Sequence, residues 1–280
     1  MCLLAALRHQ RSGRVRSIAV IIAKRILLFL LAAGFSSYQA IAADEVAQLS
    51  NPSRSLSAQE GAAAPSAIEM QPAVAHSPKR ANFEGESASR DARHVADWVV
   101  DSGDNRGMPF VIVDKKNAKV FVFYADGRLR GAAPALLGLA RGDDAVPGIG
   151  DRKLSSILPE ERTTPAGRFV AALGRNLRGV EILWVDYDSA ISMHQVITTN
   201  PKERRLERLA TPTPLDKRIS YGCINVPAKF YKNVVRPAFT GMNGIVYVLP
   251  ETRSAREVFG SYDVEEHARL QTTGIAGPEK

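Results

Sequence analysis

Short segments rich in β-branched and aromatic residues dominate the chain from residue 110 to residue 249 and constrain its fold more than any other feature. Turn-forming pairs such as Asp126-Gly127 separate the segments, as they do in β-hairpins. Apolar runs this short are typical of strands rather than helices. The predicted strands cover residues 110–113, 120–124, 167–173, 181–187, 190–194 and 244–249.

Two segments follow a helical pattern instead. Residues 227–235 carry apolar side chains on one face, and Pro227 suits the first turn of a helix. A shorter helix is predicted from about residue 91, with Gly103 as its carboxyl-terminal stop. The sequence therefore predicts a mainly β domain, either a sandwich or an open barrel, with one helix late in the chain and a short amino-terminal helix.

The amino terminus has the order of features found in secretory signals. A basic stretch precedes the apolar residues 26–35, and Ala40 and Ala42 then supply the small residues that signal peptidase requires. We predict a cleaved signal peptide over residues 1–42, with an uncleaved anchor as the alternative. Membrane contact is expected only through this segment.

The distribution of charge also separates residues 1–42 from the rest of the chain. The formal net charge of +8 would favour a nucleic-acid or other anionic partner. Residues 1–42, however, contain six Lys or Arg and no acid, so their removal reduces the net charge to +2. No nucleic-acid partner is expected.

Composition sets the remaining boundaries. Residues 43–90 are rich in Ala, Ser, Pro, Glu and Gln, which predicts a disordered linker. The folded domain is expected over residues 91–252. Residues 253–280 are expected to form a carboxyl-terminal tail, disordered beyond Tyr262.

One cysteine remains once the signal is removed, Cys223. It follows a glycine and precedes the predicted helix, where backbone amides favour a thiolate and a developing oxyanion. We expect a partly exposed thiol with a depressed pKa. A buried structural cysteine is the alternative, because cysteine is among the residues most often buried.

A thiol nucleophile needs a base, and histidines are few. Outside the signal, His194 alone ends a predicted core strand, so elimination pairs it with Cys223. Cysteine and histidine are too sparse for a zinc site, so no metal is expected.

Three motifs occur in a fixed order: Thr164-Pro-Ala-Gly-Arg-Phe169, then His194, then Ser220-Tyr-Gly-Cys-Ile-Asn225. Together they resemble the catalytic domain of the YkuD-type L,D-transpeptidases across residues 108–250. The resemblance implies a YkuD-type β-sandwich or open barrel in the periplasm or cell envelope. It also implies a cysteine acyl-enzyme formed on peptidoglycan stem peptides.

Carried over by position, Cys223 is the nucleophile and His194 is the base. Gly222 and neighbouring amides would form the oxyanion site, and Ser220 and Asn225 would fix the loop. Two positions depart from the family pattern. Tyr221 stands where the family has histidine, and Gln195 stands where it has Gly or Ser, which leaves open what orients the imidazole. The oxyanion and substrate loop would comprise Ser220, Tyr221, Gly222 and Asn225.

The segment between His194 and Ser220 is longer than usual for the family. It carries six basic and three acidic residues, which suggest a basic flap that attracts substrate carboxylates. A solvated surface loop is an equal alternative.

The implied activity is acyl transfer from a stem peptide to an amine by a monomeric protein, a reaction that needs neither a metal nor an organic cofactor. Two alternatives remain at this point. Water as the acceptor would make the protein an L,D-carboxypeptidase or a hydrolase of wall linkages. Loss of activity through Tyr221 and Gln195 would leave a wall-binding module.

Overall fold

The computed structural model describes residues 77–272, and ten strands lie within that range. Eight form one sheet in the order β3-β2-β1-β10-β5-β6-β7-β9, whereas β4 and β8 form a separate pair. The strands are β1 (Phe110–Asp114), β2 (Lys119–Phe123), β3 (Leu129–Pro134), β4 (Leu137–Gly138), β5 (Gly167–Arg175), β6 (Glu181–Asp186), β7 (Ile191–Gln195), β8 (Arg218–Ser220), β9 (Ile224–Val226) and β10 (Gly244–Val248). The prediction of a mainly β fold is confirmed.

The sheet is nearly closed. Most neighbouring strands are antiparallel, but β1 pairs in parallel with β10 and β7 in parallel with β9. Just beyond β3, Leu136 bridges back to Asn225 in β9, through hydrogen bonds in both directions. This bridge brings the two edge strands of the sheet together.

Six α-helices accompany the sheet within the described range, together with short 3₁₀ and π-helical turns. The first, α1, begins after Ser89, whose hydroxyl accepts from the Ala92 amide, and it ends at Gly103 in the left-handed conformation, as predicted. The predicted late helix spans residues 228–239 and contains a π-helical turn, Tyr231–Val235. The α-helices are α1 (Arg90–Ser102), α2 (Arg205–Ala210), α3 (Ala228–Phe230), α4 (Arg236–Phe239), α5 (Ala255–Phe259) and α6 (Val264–Thr272).

Two apolar cores lie on opposite faces of the sheet. The inner core joins alternate residues of the strands, such as Val111, Leu183 and Met193, to the helical run 228–239. The outer core packs α1 against the other face of β1, β2 and β10, with Trp98 edge-on to Tyr247. The outer core therefore covers only one end of the sheet.

Order extends further than the sequence predicts at both ends of the domain. Residues 77–89 were expected in the linker, but Phe83 is buried between Phe121 and Phe123, and Asn82 bonds to Gly127. The expected tail forms α5 before Tyr262 and, where disorder was expected, α6 after it, and Tyr262 donates to Asp101 of α1. The predicted signal peptide and residues 43–76 lie outside the described residues.

Between residues 77 and 272, none of the helices combines the length and apolar character of a bilayer span.

Candidate functional site

Strand alternation assembles four polar side chains on one face of the parallel pair β7 and β9. The register pairs Met193 with Ile224 and His194 with Asn225. Met193 and Ile224 belong to the inner core, so their chain neighbours project from the opposite face. The outer face therefore carries Ser192, His194, Cys223 and Asn225.

The sulfur atom of Cys223 lies inside this face. Its Sγ is 3.5 Å from Ser192 Oγ and 3.8 Å from the Ala190 carbonyl oxygen. The side chain is 2% exposed, so the prediction of a partly exposed cysteine is wrong. Sequence reasoning missed Ser192, although its position two residues before His194 in a strand places both side chains on one face.

Hydrogen bonds fix the main chain on both sides of Cys223. Ser220 Oγ donates to the Cys223 carbonyl at 2.6 Å and accepts from the Gly222 amide at 3.1 Å. Asn225 Nδ2 donates to the same Cys223 carbonyl at 3.0 Å. Ser220 and Asn225 of the predicted loop thus both bond to the Cys223 carbonyl, and Gly222 bonds to Ser220. Since the Gly222 amide already bonds to Ser220, its use as an oxyanion donor stays a prediction.

Gly222 occupies a position that no other residue fits. Its φ of +127° lies in the region that favours glycine, and a Cβ there would stand 2.7 Å from the Thr163 carbonyl oxygen. Thr164, from the first motif, donates its hydroxyl to the Gly222 carbonyl at 2.8 Å and accepts from the Gly138 amide at 2.9 Å. Backbone and hydroxyl contacts therefore join the first motif to the third.

His194 is held as a neutral base. Its Nδ1 lies 2.8 Å from the Gln195 carbonyl oxygen, which can only accept, so Nδ1 carries the proton and Nε2 keeps a lone pair. The ring is 6% exposed, and burial lowers the pKa of His194 to about 4. Because the orienting partner is a main-chain carbonyl, the departure from the family pattern at position 195 does not remove it.

Tyr221 packs as part of a small apolar cluster. Its ring lies against the group formed by Ile149, Ile157 and Ala190. The guanidinium of Arg162 sits over the same ring, 4.0 Å from its centroid. A cation thus adjoins the position where the family has histidine, although the tyrosine itself carries no positive charge.

A cluster of buried charged side chains contacts the main chain of the first motif. Lys115 Nζ donates to the Thr164 carbonyl at 2.9 Å and to Asp143 Oδ1 at 3.0 Å. Burial lowers the pKa of Lys115 despite the attraction of Asp143. Burial also acts to raise the pKa of Asp143, but hydrogen bonds from Thr252 and nearby amides outweigh it and hold that pKa far below its usual range. Sequence reasoning missed this cluster, since its members are far apart in the chain.

The insertion between His194 and Ser220 is folded. It contains two 3₁₀ turns, Pro201–Glu203 and Leu215–Lys217, on either side of α2. Lys217 Nζ donates to the carbonyls of Arg208 and Thr211 at the end of α2, both at 2.7 Å. Several of its cations therefore stabilise the insertion itself, and a flap that attracts carboxylates stays a prediction.

One buried cation of the insertion enters the site. Arg205 is 7% exposed, and its NH1 donates to Asn225 Oδ1 at 2.8 Å. Its Nε donates to Glu203, which neutralises the charge. Nothing in the family motifs points to this residue, because it lies outside them.

Two aromatic side chains extend the same face of the sheet. Trp184 of β6 pairs in register with Ser192, and its ring stacks on Tyr187 with centroids 4.8 Å apart. Tyr187 is 60% exposed. The face thus carries an accessible aromatic surface beside the polar site.

No family model matches the sequence, and no curated protein matches it. Similar solved structures include a mutant L,D-transpeptidase of Enterococcus faecium, 16% identical, with 51% of this chain and 50% of that chain covered and a TM-score of 0.29. They also include a mutant of the helical cell shape determining protein Pgp2 of Campylobacter jejuni, 13% identical, with 66% and 62% covered and a TM-score of 0.37.

A third similar structure is the Ldtfm–avibactam carbamoyl enzyme, 17% identical, with 51% of this chain and 49% of that chain covered and a TM-score of 0.30. This chain thus spans about half to three fifths of the length of these proteins. The case for an activity rests on the site itself.

Proposed function

We propose that the protein is an exported cysteine acyltransferase that acts on peptidoglycan stem peptides, as L,D-transpeptidases do. The proposal is carried by the shared face of β7 and β9, where His194 pairs in register with Asn225 and Cys223 lies two residues before Asn225. Two residues along a strand span roughly 6.6 Å, so side chains from adjacent strands at this offset can converge on one reacting group.

The reaction proceeds through a thioester. Cys223 Sγ attacks the carbonyl between the diamino acid and the terminal D-alanine of a tetrapeptide stem, while His194 Nε2 takes the thiol proton. The C–N bond then breaks, and the proton passes to the leaving amine of D-alanine. An acceptor amine attacks the thioester, transfers its proton to His194, and releases the sulfur, which recovers that proton.

The buried imidazole determines when the proton moves. Because burial lowers the pKa of His194 to about 4, a thiolate–imidazolium pair is disfavoured before substrate binds. Proton transfer therefore accompanies attack on the carbonyl. This differs from the resting thiolate that the sequence suggests.

Product analysis tests the proposal directly. The purified protein, in a reducing buffer, is incubated with a disaccharide-tetrapeptide, and the protein and products are examined by mass spectrometry. We expect an adduct on Cys223 with release of D-alanine, and no adduct in Cys223→Ala. Dimeric muropeptides indicate an amine acceptor, whereas a tripeptide product alone indicates the carboxypeptidase alternative.

A wall-binding module without catalysis would give no adduct and no released D-alanine, which would contradict the proposal. A carbapenem offers a second probe, because its strained carbonyl mimics the acyl donor. We expect a stoichiometric adduct in the intact protein, absent from Cys223→Ala.

Export is the remaining element of the proposal. It is supported by the basic and apolar order of residues 1–42. Amino-terminal sequencing of the protein recovered from the cell envelope should begin at Ala43. A chain recovered only from the cytoplasm would contradict export.

A further inference from the structure

We propose that Arg205 is a positioning residue for the nucleophile loop, supplied by the insertion rather than by the motifs. The inference rests on the proposed function, since it concerns how Cys223 is presented for attack. Arg205 reaches Cys223 through one side chain, the amide of Asn225.

The amide of Asn225 has two ends that differ only in hydrogen-bonding role. Arg205 NH1 donates to Oδ1 at 2.8 Å, and Nδ2 donates to the Cys223 carbonyl at 3.0 Å. A guanidinium has no acceptor, so it can bond only to the oxygen end of the amide. Arg205 therefore fixes which end of Asn225 faces Cys223. Without it, the amide could flip and place an oxygen against the Cys223 carbonyl.

The orientation matters because the Cys223 carbonyl holds the loop. It accepts from Asn225 Nδ2 and from Ser220 Oγ, and these two bonds fix the peptide plane that follows the nucleophile. The same Asn225 pairs in register with His194, which carries the base. A flipped amide would thus shift the thiol relative to both Ser192 and the imidazole.

The free-energy cost of burying the Arg205 guanidinium indicates that its contact with Asn225 is specific. A guanidinium is seldom buried unless it is paired, and Arg205 is buried with its Nε on Glu203. The adjacent Arg204 shows the alternative, since its side chain is 69% exposed and pairs with Glu207 within α2. Arg204 therefore supplies a matched control on the same turn of chain.

A double-mutant cycle tests the coupling. Arg205→Ala, Asn225→Ala and the double variant are compared for kcat and KM in acyl transfer, and for the alkylation rate of Cys223 under reducing conditions. We expect each single change to lower kcat roughly 10-fold to 100-fold with KM nearly unchanged, and the double variant to be no slower than the slower single one. Arg204→Ala should keep wild-type kcat.

Two conservative variants separate positioning from folding. Asn225→Asp keeps an acceptor for Arg205 but loses the donor to Cys223, so it should be as slow as Asn225→Ala. Arg205→Lys keeps one donor for Asn225 Oδ1 and should recover part of the lost kcat. If Arg205→Ala does not fold, as judged by circular dichroism, the cycle is carried out with Arg205→Lys in its place.

Three results would overturn the inference: multiplicative effects in the double variant, an unchanged kcat in the Arg205 variant, or a raised KM with normal kcat, which would make Arg205 a substrate contact. A wild-type protein that forms no adduct would instead overturn the proposed function. The two failures are therefore distinguishable.

Discussion

The two ends of the eight-stranded sheet share an inner core but cover their outer faces differently. Over β1, β2 and β10, aromatic and aliphatic side chains such as Phe110 and Tyr247 meet α1. Over β7 and β9, the corresponding positions hold Ser192, His194 and Cys223, which are equally buried. An apolar face needs only good packing, whereas every buried polar group also needs a partner. The first end is therefore suited to stability and the second to chemistry.

The largest expected effect lies at the polar end. His194→Gln removes the base but leaves a neutral side chain of similar size. We expect kcat to fall about 10²–10⁴-fold while the thermal unfolding midpoint at pH 7.5 changes little. Steady-state kinetics and calorimetry on the same preparation measure both. A kcat near the wild-type value would show that another residue accepts the thiol proton.

The opposite behaviour is expected at the apolar end. Trp98→Ala removes a ring that packs on Tyr247 and Phe259, and should lower the free energy of unfolding by about 3–5 kcal/mol. Activity per folded molecule should persist, because Trp98 lies on the outer core away from the site. Urea denaturation with parallel activity assays tests this. A loss of kcat without a loss of stability would erase the distinction between the two ends.

Acid should destabilise the polar end selectively. The pKa of His194 is about 4 in the folded protein, against about 6.5 in an unfolded chain, so the unfolded state binds the proton first as pH falls. The contribution is fully present above about pH 6.5 and is lost as pH falls through 4, at most about 3 kcal/mol. Urea midpoints at pH 7.5, 6 and 5 should therefore fall more steeply for wild type than for His194→Gln. Parallel slopes would contradict a buried neutral imidazole.

A smaller effect is expected where the first motif touches the nucleophile loop. Thr164→Val removes the hydroxyl that bonds to Gly222 and Gly138, at a cost of about 1–3 kcal/mol in unfolding free energy. The rate should fall as well, because the Gly222 carbonyl loses its partner. Thr164→Ser is the matched control and should stay close to wild type. Equal rates and equal unfolding free energies for the valine and serine variants would show that the Thr164 hydroxyl contributes to neither.

The smallest effect is expected at the departure from the family pattern. Tyr221→His should leave the enzyme active, with kcat changed by less than about tenfold, because the ring mainly packs against the Ile149 cluster beside Arg162. Single-turnover acylation measures this. A larger loss would assign Tyr221 a direct part in the reaction.

Local patterns were sufficient to predict six of the ten strands, but not β3 or the short strands β4, β8 and β9. The β-branched runs, the stop at Gly103 and the order of the three motifs all depend on a few neighbouring residues. Helices α2, α5 and α6 were missed because helices this short are stabilised by tertiary packing rather than by their own sequence. Phe83, a single aromatic residue in a polar segment, gave no local sign of its buried position.

The site could be predicted only as far as its motifs extended. Ser192 could have been found from strand alternation alone. Arg205 and Lys115 could not, since each reaches its partner through contacts between segments distant in the chain. The burial of Cys223 also depends on such contacts, which is why its exposure was predicted wrongly.

The central position of β10 has a consequence for how the chain folds. Strand β10 lies between β1 and β5, and it pairs residue 110 with residue 245. The middle of the sheet therefore cannot form until nearly the whole domain has been synthesised, and pairings between such distant residues close slowly. Until β10 is in place, strands β1, β2 and β3 share no ladder with β5, β6, β7 and β9, so a chain that ends before β10 lacks the strand that joins the two halves of the sheet.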